Sequence, residues 1–380
     1  MFEMVHNRQL IFGEDTIAQL PALLKWRQLK KPMIAVYSPD APCLNALCQE
    51  LKKEGISWYL HAGIHGEPDL NCVNLGRDIF LSNGCDCTIA IGGGSVIDAA
   101  KAINMLAVNG GMIEEYQMEG RPVTVAPPFF AAIPTTSGTG AEATKTSVVL
   151  NNHNGLKKSL YHTSMIADVV ILDPTVTLEL PPSVTAATGM DALSHAIESY
   201  VSLNASPITE MYGLKAVSLI SKNLAEAVRQ PDSLTARGNM MLASYFGGVA
   251  ITAGIGIAHI MAQPLGAVFQ IPHGDACSVF LPISIQLNRD HAKKRYVELA
   301  KALGVSTDDR DDDQIIDRLL QAIRTLQDTI QAPVSLKPWL TRNLSEEELL
   351  DTVKRTTGHI TCNPRPLDEA LILEAWRAAL

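Results

Sequence analysis

The chain has 380 residues, 47% of them hydrophobic and 19% charged, with a formal net charge of −9. That length exceeds a single core of about 250–300 residues and implies two domains. The acidic balance, with basic residues gathered only in short runs such as Lys30-Lys31 and Lys157-Lys158, argues against a nucleic-acid surface, and no uninterrupted apolar run of about 18 residues suits a membrane span.

The N-terminus MFEMVHNRQLIFGEDT lacks the basic start, apolar stretch and cleavage site of a signal peptide, so a cytoplasmic protein is expected. From about residue 31, short β-branched runs alternate with longer helical ones. These are PMIAVYS, a helical stretch from Pro42 to Glu54, ISWYLHAGI, and a helix from Asp69 to Asn83. The seven cysteines fall at irregular spacing and read as reduced thiols; Cys85-Asp86-Cys87 is too close for a CxxC zinc clasp and is expected to pack. CTIAIGGGSVIDAAKAINML then runs an apolar strand into three glycines and an Ala-rich helix. Strand, crossover helix and strand in succession imply a parallel sheet with helices on both faces. Further strands are expected at FFAAIPT, TSVVL and ADVVILD, some as antiparallel additions at the edge. After Pro181-Pro182 the chain reads as helices alone, which puts an α/β domain at 1–181 and an all-α domain at 182–380.

Gly92, Gly93 and Gly94 follow the strand ending at Ile91, and Ser95 precedes a helix carrying Asp98 and Lys101. Glycines let a backbone approach pyrophosphate closely, and a helix N-terminus offers unpaired N–H donors, so the turn is an anion site. It is not GxGxxG, and an ordinary Rossmann domain is not indicated. A second stretch, IPTTSGTGAEATKTS, gathers Thr135, Thr136, Ser137, Thr139 and Thr144, hydroxyls suited to ribose and phosphate oxygens. Where PMIAVYSPD ends, the position that often carries an NAD-selective carboxylate is Ser38, with Asp40 two residues later. NADP is therefore expected to be accepted beside NAD.

In the second half, GMDALSHAIESY places Asp191 and His195 at i and i+4 on one helix face. His259, in GIGIAHIMAQPLG, and His273, in QIPHGDA, complete a set of three imidazoles and one carboxylate. Singly, His195 or His259 reads as a hydrogen-bonded core histidine; together the four suit one Fe(II) or Zn(II) better than Mg or Ca.

These motifs, in this order, resemble the iron-containing (group III) alcohol dehydrogenases over essentially the whole chain: GGGSVIDAAK, PTTSGTGAEAT, GMDALSHAIESYVS, GIAHIMAQPLG, PHG and CNPRP. The resemblance implies the dehydroquinate synthase-like fold, an α/β nucleotide-binding domain followed by an all-helical metal domain. It implies Asp191, His195, His259 and His273 as metal ligands, His259 and His273 thereby serving catalysis. Gly93, Gly94, Ser95 and Asp98 would lie on the pyrophosphate side of NAD(P), and Thr135, Thr136, Thr139 and Lys158 near the nicotinamide ribose. The implied activity is hydride transfer between NAD(P)(H) and a primary alcohol/aldehyde pair, in a homodimer or larger homo-oligomer.

Three departures from the family pattern stand out. Gln263 occupies the place of a histidine in HxMAHxLG and cannot titrate, so another proton relay is needed. His359, in HITCNPR, is the candidate for that relay. VAITAGIG puts Ala250 where a bulky Phe is usual and Thr252 in place of Asn. A dehydroquinate synthase-like lyase is the alternative, disfavoured because the region around 189–280 is poor in the Lys and Arg that a phosphorylated, carboxylated substrate needs.

Overall fold

The computed structural model describes residues 2–118, 120–153, 155–308 and 311–380. Within it the chain forms two compact units: Glu3–Thr136 with Ala141–Glu179, and Ser137–Gly140 with Leu180–Leu380.

In chain order the first unit contains β1 (Gln9–Phe12), α1 (Leu20–Trp26), β2 (Pro32–Val36), α2 (Pro42–Lys53), β3 (Tyr59–Ala62), α3 (Leu70–Ser82) and β4 (Cys87–Gly92). There follow α4 (Gly94–Asn109), α5 (Ile113–Met118), β5 (Phe129–Pro134), β6 (Thr146–Asn151), β7 (Leu156–Tyr161) and β8 (Val169–Leu172). Six strands pair in parallel in the order β1-β8-β5-β4-β2-β3. β2, β4 and β8 are buried at every position, which is why PMIAV, CTIAIG and VVIL are continuous apolar runs rather than alternating ones. Asp69 caps α3 by accepting the Cys72 amide at 2.7 Å.

The strands expected as antiparallel edge additions need correction. β5 and β8 are parallel and interior. β6 pairs with β7 antiparallel in a separate two-stranded sheet, its burial alternating as a one-face-covered strand requires. That ribbon lies on α4, where Asp98 accepts the Val148 amide at 3.0 Å and the Ser147 hydroxyl donates to the Asp98 carbonyl at 2.7 Å. Lys101, fully enclosed on the same helix, donates to the carbonyls of Ala141, Thr144 and Thr146 at 2.5, 2.8 and 2.7 Å. Burial lowers its ammonium to about 8, and the same burial raises Asp98 and Glu142 beside it to about 7.

The second unit is helical: α6 (Pro182–Val201), α7 (Pro207–Arg229), α8 (Leu234–Ala250), α9 (Ile257–Phe269), α10 (His273–Asn288), α11 (Lys293–Leu303), α12 (Asp312–Ile330), α13 (Glu346–Thr357) and α14 (Glu369–Ala379). α6 begins with Pro182 at its first position, where no amide hydrogen is needed. It is buried nearly all round, against a core that includes Leu224, Met240, Tyr296 and Ile316. A second core, with Met261, Phe280, Leu349 and Trp376, joins α9 and α10 to α13 and α14. Among the described residues no single helix is long and apolar enough to cross a membrane.

Prolines interrupt α9 and α10, and each freed carbonyl is satisfied. Pro264 in α9 removes the donor for the Ile260 carbonyl, which accepts the Thr357 hydroxyl at 2.9 Å. Pro282 in α10 does the same to Ser278, whose carbonyl accepts Gln327 Nε2 at 2.7 Å. Thr357→Val is therefore expected to destabilise the protein by about 1–3 kcal/mol in urea denaturation, the cost of a buried unpaired carbonyl. In the Pro264→Ala background, where the helix regains its own donor, the same change is expected to cost less. Equal losses in both backgrounds would show that the hydroxyl does not serve that carbonyl.

Candidate metal centre and nucleotide site

In the first unit, β3 lies on one side of β2 and β4 on the other, so the chain reverses its direction of travel between β2 and β4. The carboxyl ends at such a switch point are where open α/β sheets bind ligands. Val36 pairs with Ile91 and Gly92 with Pro134, so Ser38, the Gly92–Gly94 turn, Thr135 and Thr136 follow neighbouring strand ends. α4 starts there with Gly93 as its N-cap and no side-chain cap, leaving first-turn amides without a side-chain acceptor. A Cβ on Gly92 would lie 2.5 Å from Val96, and one on Gly93 3.3 Å from Thr136, so the tight turn excludes larger residues at Gly92. Ser38 Oγ accepts the Asp40 amide at 3.2 Å. Asp98 is engaged by Val148, and Lys158 stands on β7 opposite Val149. Thr139 belongs to the short 137–140 segment, grouped with the helical unit. There Gly140, at φ +58°, and Gly248 approach so closely that a Cβ on Gly248 would lie 2.3 Å from the Gly140 carbonyl.

In the second unit α6 brings Asp191 and His195 together as the i,i+4 spacing predicts, and α9 and α10 supply His259 and His273. Asp191 Oδ1 lies 3.3 Å from His259 Nε2 and 3.6 Å from both His195 Nε2 and His273 Nε2. Four donors at about 2.1 Å from one tetrahedral ion would be separated by about 3.4 Å, so the arrangement fits a divalent metal. The side chains of Asp191, His195 and His259 are 3%, 6% and 4% exposed, whereas that of His273 is 36% exposed, giving the cluster one open side. The rings of His195 and His259 stack with centroids 4.5 Å apart.

The electrostatics are those of a site short of positive charge. Burial alone would raise Asp191, yet His195, His273 and His259 hold its carboxyl well below the usual range. Burial lowers His195 to about 4, against the pull of Asp191. His273, half-buried, rises to about 9 against the desolvation that opposes its charged form, and His259 rises too, through Cys277 and Asp191 and, for His259, Glu198. A divalent ion would take the place of those protons.

Sequence reasoning missed Glu198. It follows His195 by three positions on α6 and is enclosed, 1% exposed. Its Oε2 accepts His259 Nδ1–H at 2.6 Å, and its Oε1 accepts the Ala258 amide at 2.6 Å and the Ser284 hydroxyl at 3.2 Å. A carboxylate that only accepts fixes the proton on Nδ1 and leaves the Nε2 lone pair facing Asp191. The same group caps α9 together with Asn363, from CNPRP, which accepts the Ile257 amide at 3.1 Å. Gly256 is required between them: a Cβ there would lie 2.7 Å from Asn363 Oδ1 and 2.9 Å from Glu198 Oε1. Gly274 of PHG is equally constrained, since its Cβ would lie 2.1 Å from the Ala187 carbonyl of α6. The available signal was an acidic residue on the Asp191–His195 face, with no basic residue nearby in GMDALSHAIESY.

Other expected residues fall outside the cluster. His359 is exposed in the turn after α13, Gln263 is half-buried one turn beyond His259, Ala250 is fully buried, and exposed Thr252 donates to the Val249 carbonyl at 2.9 Å. Cys277, one turn after His273, was not anticipated and does join the donors.

Glu198→Gln is expected to weaken divalent-metal affinity by about 10–100-fold, as loss of a histidine-orienting carboxylate does, with the fold retained. Chelator-competition titration measures it. Wild-type affinity would leave Glu198 with the capping role alone.

The profile of iron-containing alcohol dehydrogenases matches residues 7–174. That of the C-terminal part of the Fe-containing alcohol dehydrogenase family matches residues 185–380. "Probable alcohol dehydrogenase EutG" of Salmonella typhimurium is 36% identical over 352 residues, 91% of this chain and 86% of that protein. The 1,3-propanediol dehydrogenase of Citrobacter freundii is 32% identical over 330 residues, 87% and 85% of the two. Among solved structures, a 1,3-propanediol oxidoreductase superposes with a TM-score of 0.94 at 28% identity, over 100% of both chains. The sulfoacetaldehyde reductase of Bifidobacterium kashiwanohense, in complex with NAD+, gives 0.89 at 27% identity, over 100% of this chain and 98% of that one. With both halves matched in sequence and the α/β and helical parts matched in fold, the chain belongs to the iron-containing alcohol dehydrogenase family, oxidoreductases that act on alcohols.

Proposed function

We propose that this protein interconverts a primary alcohol and its aldehyde with either NAD(H) or NADP(H), using Fe(II) or Zn(II) held by Asp191, His195, His259 and His273. Residues 1–181 serve as the nucleotide domain and 182–380 as the metal domain. The observation that carries the reading is the ring of three imidazole Nε2 atoms, 3.3 to 3.6 Å from one buried carboxylate oxygen. A divalent ion there supplies Lewis acidity toward a substrate oxygen, and the dinucleotide supplies the hydride acceptor or donor. Glu198 holds the His259 proton on Nδ1, and burial of Asp191, His195 and His259 keeps water from three of the donors. The exposure of His273 leaves the side from which a small substrate enters. The amides that open α4 receive the pyrophosphate. On the edge strand β1, Leu10 and Phe12 are exposed, a surface that supports association with a second copy.

A panel of aldehydes with NADH and NADPH, run on metal-free protein and on protein reloaded with Fe(II) or Zn(II), tests the activity. Turnover is expected only after reloading. His259→Ala is expected to lose metal and turnover together while the parallel sheet stays folded. Stoichiometric metal with near-normal kcat in that variant would overturn the ligand set. His359 is exposed and, among the described residues, no hydrogen bond or ion pair joins it to the cluster, so His359→Ala is expected to leave the pH profile of kcat unchanged. Loss of one limb with about a 10²-fold fall in rate would instead make it the relay for which Gln263 cannot serve.

At the end of β2 a neutral Ser38 stands where a carboxylate would repel a 2′-phosphate. The kcat/KM values for NADP(H) and NAD(H) are expected to lie within roughly 30-fold, about 2 kcal/mol, with Ser38→Asp shifting preference to NAD. A thousandfold NAD preference in the wild type would assign the ribose to Asp40 or another carboxylate.

A further inference from the structure

Cys277 has no part in the four-ligand reading, yet it sits with three of those donors, Asp191, His259 and His273. It stands one turn after His273 on α10, fully buried, with Sγ 3.7 Å from His273 Nε2. The ligand atoms of Asp191, His259, His273 and Cys277 all lie within 4.8 Å of one another. A sulfur at about 2.3 Å and an imidazole nitrogen at about 2.1 Å from one ion would, at a tetrahedral angle, be about 3.6 Å apart. The observed spacing matches that of two donors to one centre. The backbone that carries Cys277 is held in place: Gly274 lets the first turn of α10 pack against the Ala187 carbonyl, and Ala276, Ser278 and Val279 around it are buried.

We propose that Cys277 is a sulfur donor to the metal centre, additional to Asp191, His195, His259 and His273, and that it tilts the centre from Fe(II) toward Zn(II). The inference rests on the metal reading of the site. Three imidazoles and a carboxylate form a borderline N/O set, and a thiolate adds a soft donor that favours Zn(II) over Fe(II). On coordination the thiol gives its proton to solvent and its sulfur lone pair to the ion, with no change in oxidation state. With five protein donors available, the sulfur also shares the coordination space that a substrate oxygen needs. Cys277 thereby sets both metal preference and how open the centre is.

Full-length protein stripped of metal and reloaded with Zn(II), and separately with Co(II), provides the test. X-ray absorption on the Zn(II) form is expected to show one sulfur at about 2.3 Å beside nitrogen and oxygen donors. The Co(II) form is expected to carry a thiolate-to-cobalt charge-transfer band in the near ultraviolet. Both signals should vanish in Cys277→Ser while metal stoichiometry is kept, and the ratio of Zn(II) to Fe(II) affinity should fall on the order of tenfold. Full metal loading of the wild type with nitrogen and oxygen donors alone and no band would overturn the sulfur donor, and leave the four-ligand centre standing. A band that persists in Cys277→Ser would also overturn it. Failure of the wild type to take up either ion would overturn the metal reading, and the sulfur donor with it. The wild-type spectra decide the matter even if the variant does not fold.

Discussion

Two carboxylates on one face of α6, Asp191 and Glu198, are the constraint around which the second unit is arranged. Each is enclosed, at 2% and 1% exposure, and a buried charge without compensation is strongly disfavoured. Glu198 meets that demand with the start of α9, taking the Ala258 amide and the His259 imidazole. Asp191 meets it with three imidazoles drawn from α6, α9 and α10. Truncating either side chain would therefore disturb more than its own contacts, because the approach of α9 and α10 to α6 is built on both.

Close approach sets the glycine and proline content of the motifs. Gly256 leaves room for Glu198 and Asn363, Gly274 lets α10 begin against α6, and Gly254, at φ +94°, turns where a Cβ would lie 2.3 Å from Cys362 Sγ. CNPRP thus acts at a distance from the Asp191–histidine cluster: Asn363 caps the helix that carries His259, and Cys362 donates to the Ile255 carbonyl at 3.1 Å. The prolines belong to the same economy of backbone groups. α9 and α10 tolerate Pro264 and Pro282 because α13 and α12 deliver Thr357 and Gln327 to the freed carbonyls.

Whatever depended on periodicity or on residue type at short range was legible in the sequence. The apolar runs of β2 and β4, the glycine turn into α4, and the Asp191–His195 pair follow from rules within a few residues. β7 escaped because LKKSLY sets two lysines in succession and hides its alternation. The interior, parallel places of β5 and β8 are not legible, because the end-to-end order of strands in a sheet is a long-range property, invisible in FFAAIP or VVIL. Glu198 and Cys277 were illegible for another reason. Each sits on a helix with ordinary helical spacing, and only the folding of α6, α9 and α10 onto one point turns a common acid and a common thiol into neighbours of the same imidazoles.

The nucleotide end shows why a cation in a motif need not face the ligand. GGGSVIDAAK carries a lysine one turn beyond Asp98, and a lysine beside a glycine turn invites a phosphate-binding role. Lys101 is instead committed to the carbonyls of Ala141, Thr144 and Thr146 and to the Thr144 hydroxyl, 3.9 Å from Asp98 and with Glu142 nearby. Its charge compensates two buried carboxyls and pins the 141–146 segment to α4. An anion at the glycine turn would thereby meet only backbone amides and the helix dipole, which are fixed in place and carry no net charge. Such a site gains little from flexible cationic side chains. It gains from rigidity, and Lys101 provides that by tying the 141–146 segment to the helix whose N-terminus opens the turn.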